Sequence, residues 1–370
     1  MPMNTDNQAT QREIIRMRPG MYIGDIYDGS GLVHMVWEVL GNSLDEYLAG
    51  HCTRIAVAIE PDGAITVADD GRGIPVDDFH GEPFAQAALT RMHDTPTMDG
   101  HAPHDHLGPR GLGLFVVNVL SERLELHVQR DGSHYTQRYS RGVPVSAFER
   151  VGSSGESGTR VTFRPDSTVF IDTWMNAGLI AARLRELAWL NPPLELTFRD
   201  SRRHRFQEPS GLRAFLARLR GHGGAPIGES LQIDAAGGVV RVEVAAEWVP
   251  AAWSRSIESF ANSNRTTSDG THVDGLFDGL IAELRSRLPD LCHGRPSSKL
   301  RELVAEGMHA VVCVRLRDPT FDQPTRSRLT TPEAKSCVAA AVRPAFAELL
   351  DAEASLEGHF REKLSLVGPG

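Results

Sequence analysis

Cysteine is scarce in this sequence: four residues in 370, Cys52, Cys292, Cys313 and Cys337, with no CxxC pair among them. That excludes a disulfide framework and a Cys-based zinc knuckle, and it fits a reducing compartment. Long apolar runs are missing as well. No stretch approaches the roughly 18 residues of a membrane span. The N-terminal MPMNTDNQATQREIIRMRPG is polar and lacks the apolar h-region of a secretory signal. A soluble, cytoplasmic protein with no membrane partner is expected. Basic charge is also short, with 39 Lys and Arg against 48 Asp and Glu and a formal net charge of -9. Gripping nucleic acid over the whole surface needs clustered cations, so only a local patch or a partner subunit leaves room for DNA work. Neither an internal repeat nor a low-complexity tract is present.

What is there reads as about two ordinary globular domains, given 41% hydrophobic and 24% charged residues over 370 positions. A polar arm covers residues 1–12. A helix over residues 31–49 carries Leu32, Met35, Val36, Val39, Leu40, Leu44 and Leu48 at three- and four-residue spacing, with Gly50 as its C-cap candidate. Hairpins are expected around Pro61-Asp62-Gly63 and around Asp131-Gly132. Residues 89–108 show little periodicity and read as a long surface loop, of the kind that often serves as a lid. Strand, helix and strand signals alternate through both halves. The helix signals fall at 111–120, 177–190, 211–221, 271–288 and from Pro332 onward, where Thr331 is a good N-cap. The order is α+β in both halves, with the boundary near 165–175.

Four motifs in the first half carry chemistry. On the first long helix, Glu38, Asn42, Asp45 and Glu46 share one side, opposite much of the apolar stripe. They read either as a solvated face or as a carboxylate base beside an amide ligand for a Mg-nucleotide. Asp69-Asp70-Gly71-Arg72-Gly73-Ile74-Pro75 follows a strand; it is an ordinary Asp-Gly turn or an acidic acceptor for an exocyclic amine, with glycines where side chains would clash. Gly108-Pro109-Arg110-Gly111-Leu112-Gly113 opens a helix and offers backbone N–H groups to an anion. It has neither the Lys-Ser/Thr of a Walker loop nor the preceding strand of a Rossmann fingerprint. Finally, Thr159 stands at a strand start in Gly158-Thr159-Arg160-Val161-Thr162-Phe163, either against a ligand or simply on an edge.

Taken together in this order and spacing, the four motifs resemble the GHKL ATPases, the group of gyrase, a heat-shock chaperone class, histidine kinases and MutL. RPGMYIG, EVLGNSLDEYLAGH, LSERLEL and SGTRVTF resemble the ATPase region of the gyrase or topoisomerase IV B subunit. So do LRELAWLNPPLELTFRD, SDGTHVDGL and VRLRDPTFDQPTRSRLTTPEAKS further on, so that the likeness covers residues 12–350. The resemblance implies a Bergerat-type ATP-binding sandwich over residues 13–170, with a lid at 89–110, then a transducer domain of ribosomal-S5-like fold over 171–370. It implies ATP and Mg²⁺ as cofactors, a homodimer on ATP binding, and a gyrase A-like subunit and DNA as partners in a full assembly.

By that resemblance Glu38 would be the general base and Asn42 the Mg²⁺ ligand. Asp69 would accept from the adenine amine, supported by Thr159. Asp45 would lie behind them, Glu46 and Arg72 would pair, and Gly73, Ile74 and Pro75 would line the base pocket. Arg110, Gly111, Leu112 and Gly113 would hold the phosphates, and Arg326 would reach the γ-phosphate. The departures are equally specific. Pro109 and Arg110 replace the Leu-His of the phosphate loop, removing one N–H donor and adding a permanent charge. Residues 92–107 hold no Lys or Tyr but include His93, His101, His104 and His106, which with Asp105 read as a polar lid or as metal ligands. Pro324-Thr325-Arg326 stands where the family has Gln-Thr-Lys, so ATP binding is expected more firmly than fast hydrolysis. Nothing resembles the Toprim Glu-Gly-Asp-Ser motif, so these residues alone are not expected to cut DNA. The alternative is a stand-alone GHKL regulator with weak turnover.

Overall fold

The computed structural model describes residues 5–92, 112–221, 224–236, 238–250, 255–317, 319–323 and 326–366. They fall into two compact units, Met1–Glu208 and Pro209–Gly370.

In the first unit the longer helices are α1 (Thr5–Met17), α2 (Ser30–Leu48), α3 (Phe84–Thr90), α4 (Gly113–Val119) and α5 (Ala177–Leu190). The strands of its main sheet are β1 (Arg54–Ile59), β2 (Ile65–Asp69), β3 (Ser121–Arg130), β4 (Ser133–Ser140), β5 (Val143–Pro144), β6 (Glu149–Ser153), β7 (Gly158–Pro165), β8 (Glu195–Arg199) and β9 (Arg203–Phe206). They form one sheet in the order β9-β8-β1-β2-β7-β3-β4-β5, with β6 also on β4. Period-2 alternation puts Ile55, Val57, Ile65, Val67, Leu124, Leu126, Val128, Val161 and Phe163 on one face, and the stripe of α2 packs into the same core. Both expected hairpins form. At the second, Asp131 and Gly132 take φ 51° and 73°, the left-handed pair of a tight two-residue turn.

The second unit contains α6 (Gly211–Arg220), α7 (Thr271–Arg287), α8 (Ser297–Ala305), α9 (Pro332–Ala352) and α10 (Ala354–Leu366). Its strands are β10 (Leu231–Ala235), β11 (Val240–Trp248), β12 (Ser256–Ala261), β13 (Asn264–Arg265) and β14 (Met308–Leu316), in the order β10-β11-β14-β12-β13. Helices α7 and α9 pack closely. A Cβ on Gly275 would sit 2.4 Å from the Lys335 carbonyl oxygen, and one on Gly279 would sit 2.8 Å from Val342 Cβ. Trp248, Phe346 and Phe360 pack together in the core, with Phe360 edge-on to the other two rings. Cys52, Cys292 and Cys313 are buried and Cys337, on α9, is half-exposed; none forms a disulfide among the described residues.

Four expectations change. The boundary falls at 208/209 rather than near 170, because β8 pairs in parallel with β1 and carries α5 and β9 into the first sheet. The polar arm is helical from Thr5 to Met17, and the end of that helix is held: Arg16 reaches the Val119 carbonyl at 2.9 Å and the buried Asp166 at 2.7 Å. Thr331 does precede α9, but its hydroxyl accepts from the Thr320 N–H at 2.8 Å and makes no cap bond. The C-terminal helix is two helices, broken at Glu353, whose φ of -120° and ψ of 80° leave helical space. No helix among the described residues is long and apolar enough to cross a membrane.

Candidate active site

Helix α2 decides between the two readings of its polar side. Glu38 is 8% exposed, which rules out a solvated face at that position. Its Oε1 lies 3.0 Å from Nε2 of His34, one turn earlier. Its Oε2 occupies space beside the start of α4, where a Cβ added to Gly113 would come within 2.3 Å of it. Only glycine lets the first residue of α4 approach the carboxylate this closely. Asn42, one turn on, is exposed and donates its Nδ2 to the Glu38 carbonyl at 3.0 Å. The amide oxygen keeps its lone pairs, with no hydrogen bond among the described residues. Asp45 is half-exposed, and its carbonyl accepts the Ala49 N–H at the end of the helix.

Glu46 and Arg72 form a fork. The carboxylate accepts the Arg72 backbone N–H at 2.9 Å, its Nε at 3.1 Å and an Nη at 2.7 Å. Burial alone would push the Glu46 pKa up, but the hydrogen bonds and charge of Arg72 outweigh it and hold it below the usual range.

Asp69, the last residue of β2, and Asp70, just after it, point to different surroundings. Asp70 takes the Thr53 N–H and hydroxyl, both at 2.7 Å, and the Arg54 N–H and Nε at 2.8 and 3.1 Å. Although burial opposes it, these donors drive its pKa far down, and the group ties β1 to β2. Asp69 faces α2 instead. Its Oδ2 accepts the Ser43 hydroxyl at 2.7 Å, and its Oδ1 accepts the N–H groups of Gly71 at 3.0 Å and Thr159 at 3.2 Å. Burial dominates here and raises the Asp69 pKa despite these three donors, with the charge of Glu46 adding to the rise.

The turn after β2 is built around that carboxylate. The Thr159 hydroxyl accepts the Ile74 N–H at 3.1 Å, and Gly73, at φ 81°, accepts an Nη of Arg130 on its carbonyl at 2.7 Å. Gly158 passes the strand end so closely that a Cβ would meet the Asp69 carbonyl oxygen at 2.1 Å. Ile74, Pro75 and Leu112 are half-buried.

The structure thus brings together Glu38, Asn42, Glu46, Asp69, Arg72, Gly73, Ile74, Gly113 and Thr159. Arg110, Gly111, Pro109 and the histidines 93, 101, 104 and 106 with Asp105 lie outside the described residues, as do Pro324 and Thr325. No group of three or more His, Cys, Asp or Glu among the described residues is arranged to hold a metal ion. Arg326 belongs to the second unit, at φ 58°, with its guanidinium 5.8 Å from the Phe321 ring and its N–H on the Gln323 carbonyl. Three contributors escape the sequence reading: His34, Ser43 and Arg130. The four-residue offset from His34 to Glu38 was a usable signal. Ser43 and Arg130 meet their partners only through the folded sheet.

A helix carrying a buried glutamate against the glycine start of a second helix, and a buried strand-end aspartate behind a glycine turn, are the arrangement expected of the GHKL class. Residues 27–169 match the family model of the histidine kinase-, DNA gyrase B- and HSP90-like ATPases, and residues 211–361 match that of DNA gyrase B. The chain is 36% identical over 364 residues to the DNA gyrase B protein of Thermotoga maritima, covering 93% of this chain and 56% of that one. Against the DNA gyrase B protein of Synechocystis it is 35% identical, covering 95% of this chain and 34% of the other. The chain therefore spans about a third to a little over half of the length of these curated relatives. The crystal structure of the 43K ATPase domain of Thermus thermophilus gyrase B, in complex with an aminocoumarin, superposes with a TM-score of 0.80 at 32% identity, covering 95% of this chain and 93% of that one. The chain belongs to the gyrase B family and corresponds to its ATPase region, a GHKL unit followed by a transducer unit.

Proposed function

We propose that the first unit binds Mg-ATP and hydrolyses it, and that the chain acts as the ATP-operated gate of a gyrase- or topoisomerase IV-like B subunit, dimerising when ATP binds. The observation that carries this reading is Glu38, buried and held by His34 against the glycine start of α4. In that position its carboxylate can accept a proton from water attacking a phosphate seated at Leu112 and Gly113, where the backbone N–H groups of the helix start would face the anion. Arg110 and Gly111 would complete that cradle by resemblance. Asp69 takes the adenine amine with Thr159 beside it. Gly73, Ile74 and Pro75 wall the base, and the Glu46–Arg72 fork fixes the turn that carries them.

Asn42 fits a Mg²⁺ ligand, because its tethered Nδ2 leaves a hard oxygen as the free donor. Mg²⁺ held there would offset the negative charge that develops on the phosphates. By resemblance Arg326 would add positive charge at the γ-phosphate, and Asp45 supports Asn42 and Glu46 from behind. A cytoplasmic setting, a gyrase A-like partner and DNA belong to the same proposal, since they are properties of whole assemblies.

Glu38→Ala should keep ATP binding and lose turnover by roughly 10²–10⁴-fold, the range of a general base; equal turnover in both proteins overturns the assignment. A non-hydrolysable ATP analogue should convert monomer to dimer by light scattering, and a protein that stays monomeric refutes the gate. The substitutions Pro324 and Arg326 favour a second reading, an ATP-binding regulator with slow turnover. It predicts the same dimerisation with little phosphate release.

A further inference from the structure

Asp69 is a carboxylate that its surroundings work to neutralise. Its Oδ1 is satisfied by backbone, the Gly71 and Thr159 N–H groups, which are fixed by the fold. Its Oδ2 depends on a side chain, the hydroxyl of Ser43, which is 2% exposed and 2.7 Å away. The other groups packed around it do not help to keep the charge. Helix α2 contributes Glu46, whose negative charge opposes that of Asp69 and is neutralised by the Arg72 fork. Cys52, just before β1, is a buried thiol whose own pKa is pushed up, by burial first and then by Asp69. In the turn after β2, Asp70 is committed to Thr53 and Arg54, and Arg72 to Glu46. From β7 comes only Thr159, whose hydroxyl serves Ile74. No cation forms an ion pair with Asp69 among the described residues.

We propose that Ser43 sets base specificity: by donating its hydroxyl to Asp69 Oδ2 it holds that carboxylate as an acceptor-only group, so the pocket takes a purine with an exocyclic amine at position 6 and rejects a 6-oxo purine. This rests on the ATP reading of the site. An ionised carboxylate accepts from an amine and repels a carbonyl oxygen, whereas a protonated one can donate to that carbonyl. Discrimination therefore survives only while Asp69 is charged. Burial raises the Asp69 pKa, and losing the Ser43 donor raises it further, so selectivity should collapse at higher pH in a variant without the hydroxyl. One hydrogen bond to a charged group corresponds to a shift of about one pH unit, and to up to about tenfold in the ATP preference near the midpoint.

The test is calorimetric titration of the full chain with ATP and with inosine triphosphate between about pH 5 and pH 8, for wild type, Ser43→Ala and Ser43→Thr, with melting curves to check folding. Wild type should prefer ATP at the upper end and lose that preference on acidification. The midpoint should move up by about one unit in the alanine variant and stay near wild type in threonine, which keeps the hydroxyl. A folded alanine variant with an unmoved midpoint overturns the proposal, even if both nucleotides bind more weakly, because a purely structural role predicts that pattern. Equal binding of the two nucleotides by wild type at the upper end overturns it too. If wild type binds neither nucleotide, the ATP reading falls and takes this inference with it.

Discussion

The close approach of Gly113 to the Glu38 carboxylate gives a prediction with a sign and a size. In Gly113→Ala the new Cβ would stand 2.3 Å from Glu38 Oε2 and 3.3 Å from Glu38 Cβ and Cδ. Carbon and oxygen need well over 3 Å, so the carboxylate or the first turn of α4 must move by about 1 Å. Glu38 is buried and holds His34, so rotating it costs the 0.5–1.5 kcal/mol of an off-rotamer side chain, about 1 kcal/mol here. Helix propensity returns at most about 1 kcal/mol for Gly→Ala. The two nearly cancel, so stability should change by no more than about 1 kcal/mol. Turnover should not escape so lightly: a misplacement of about 1 Å at a reacting group costs on the order of 100-fold. The assay is steady-state ATP turnover alongside ATP affinity and urea melts. A double-mutant cycle with Glu38→Ala isolates the clash, since without Oε2 the alanine at 113 should become stabilising. Wild-type turnover in Gly113→Ala, or strictly additive stabilities in the cycle, would refute the reasoning.

Three further outcomes follow from other parts of the molecule. Asp166 is 1% exposed and accepts from Arg16 and Arg141, each at 2.7 Å, and from the Thr168 hydroxyl at 2.9 Å. Asp166→Ala should therefore cost about 3–5 kcal/mol in urea melts at neutral pH. The donors outweigh burial and hold its pKa well below the usual carboxylate range. Its contribution is then complete above about pH 4 and fades as the pH falls further, so the gap between wild type and a variant should narrow in acid; a constant gap contradicts the pairing. Gly275→Ala puts a Cβ 2.4 Å from the backbone oxygen of Lys335, which cannot swing away, and should lower stability by about 1–3 kcal/mol, where a neutral result would refute the close α7–α9 packing. Arg72→Lys keeps the charge but loses the fork on Glu46 and should weaken ATP binding several-fold in calorimetry, whereas unchanged affinity would separate the fork from the base pocket.

Much of the architecture was legible because it rests on short-range patterns. The stripe of α2, the Asp131-Gly132 turn and the boundaries of α5 (Ala177–Leu190) all follow from local spacing. The domain boundary and the first helix were missed through long-range pairing. Strand β8 looks like the opening of a second domain until its parallel pairing with β1 is seen, and no local signal carries that register. Helix α1 is too polar to predict from an apolar stripe, and its last turn is held by Arg16 on Asp166, 150 positions away. Within the site, the motif positions were readable from their order and the resemblance singled out Asp69, but nothing local gave Asp70 its tie to Thr53 and Arg54. Two adjacent carboxylates look alike in sequence and differ only in which donors the fold brings to each.

The distribution of cysteines has a practical consequence. Cys337 is the half-exposed thiol, on a helix of the second unit, while Cys52 is sealed in the first unit and Cys292 and Cys313 in the second. Burial raises the pKa of both Cys52 and Cys292, which slows their reaction with alkylating reagents still further. Wild-type protein thus offers one fast labelling position without engineering. Under rising denaturant, the rates at which Cys52 and the second unit's inner pair become reactive would clock the opening of the GHKL unit and of the transducer separately.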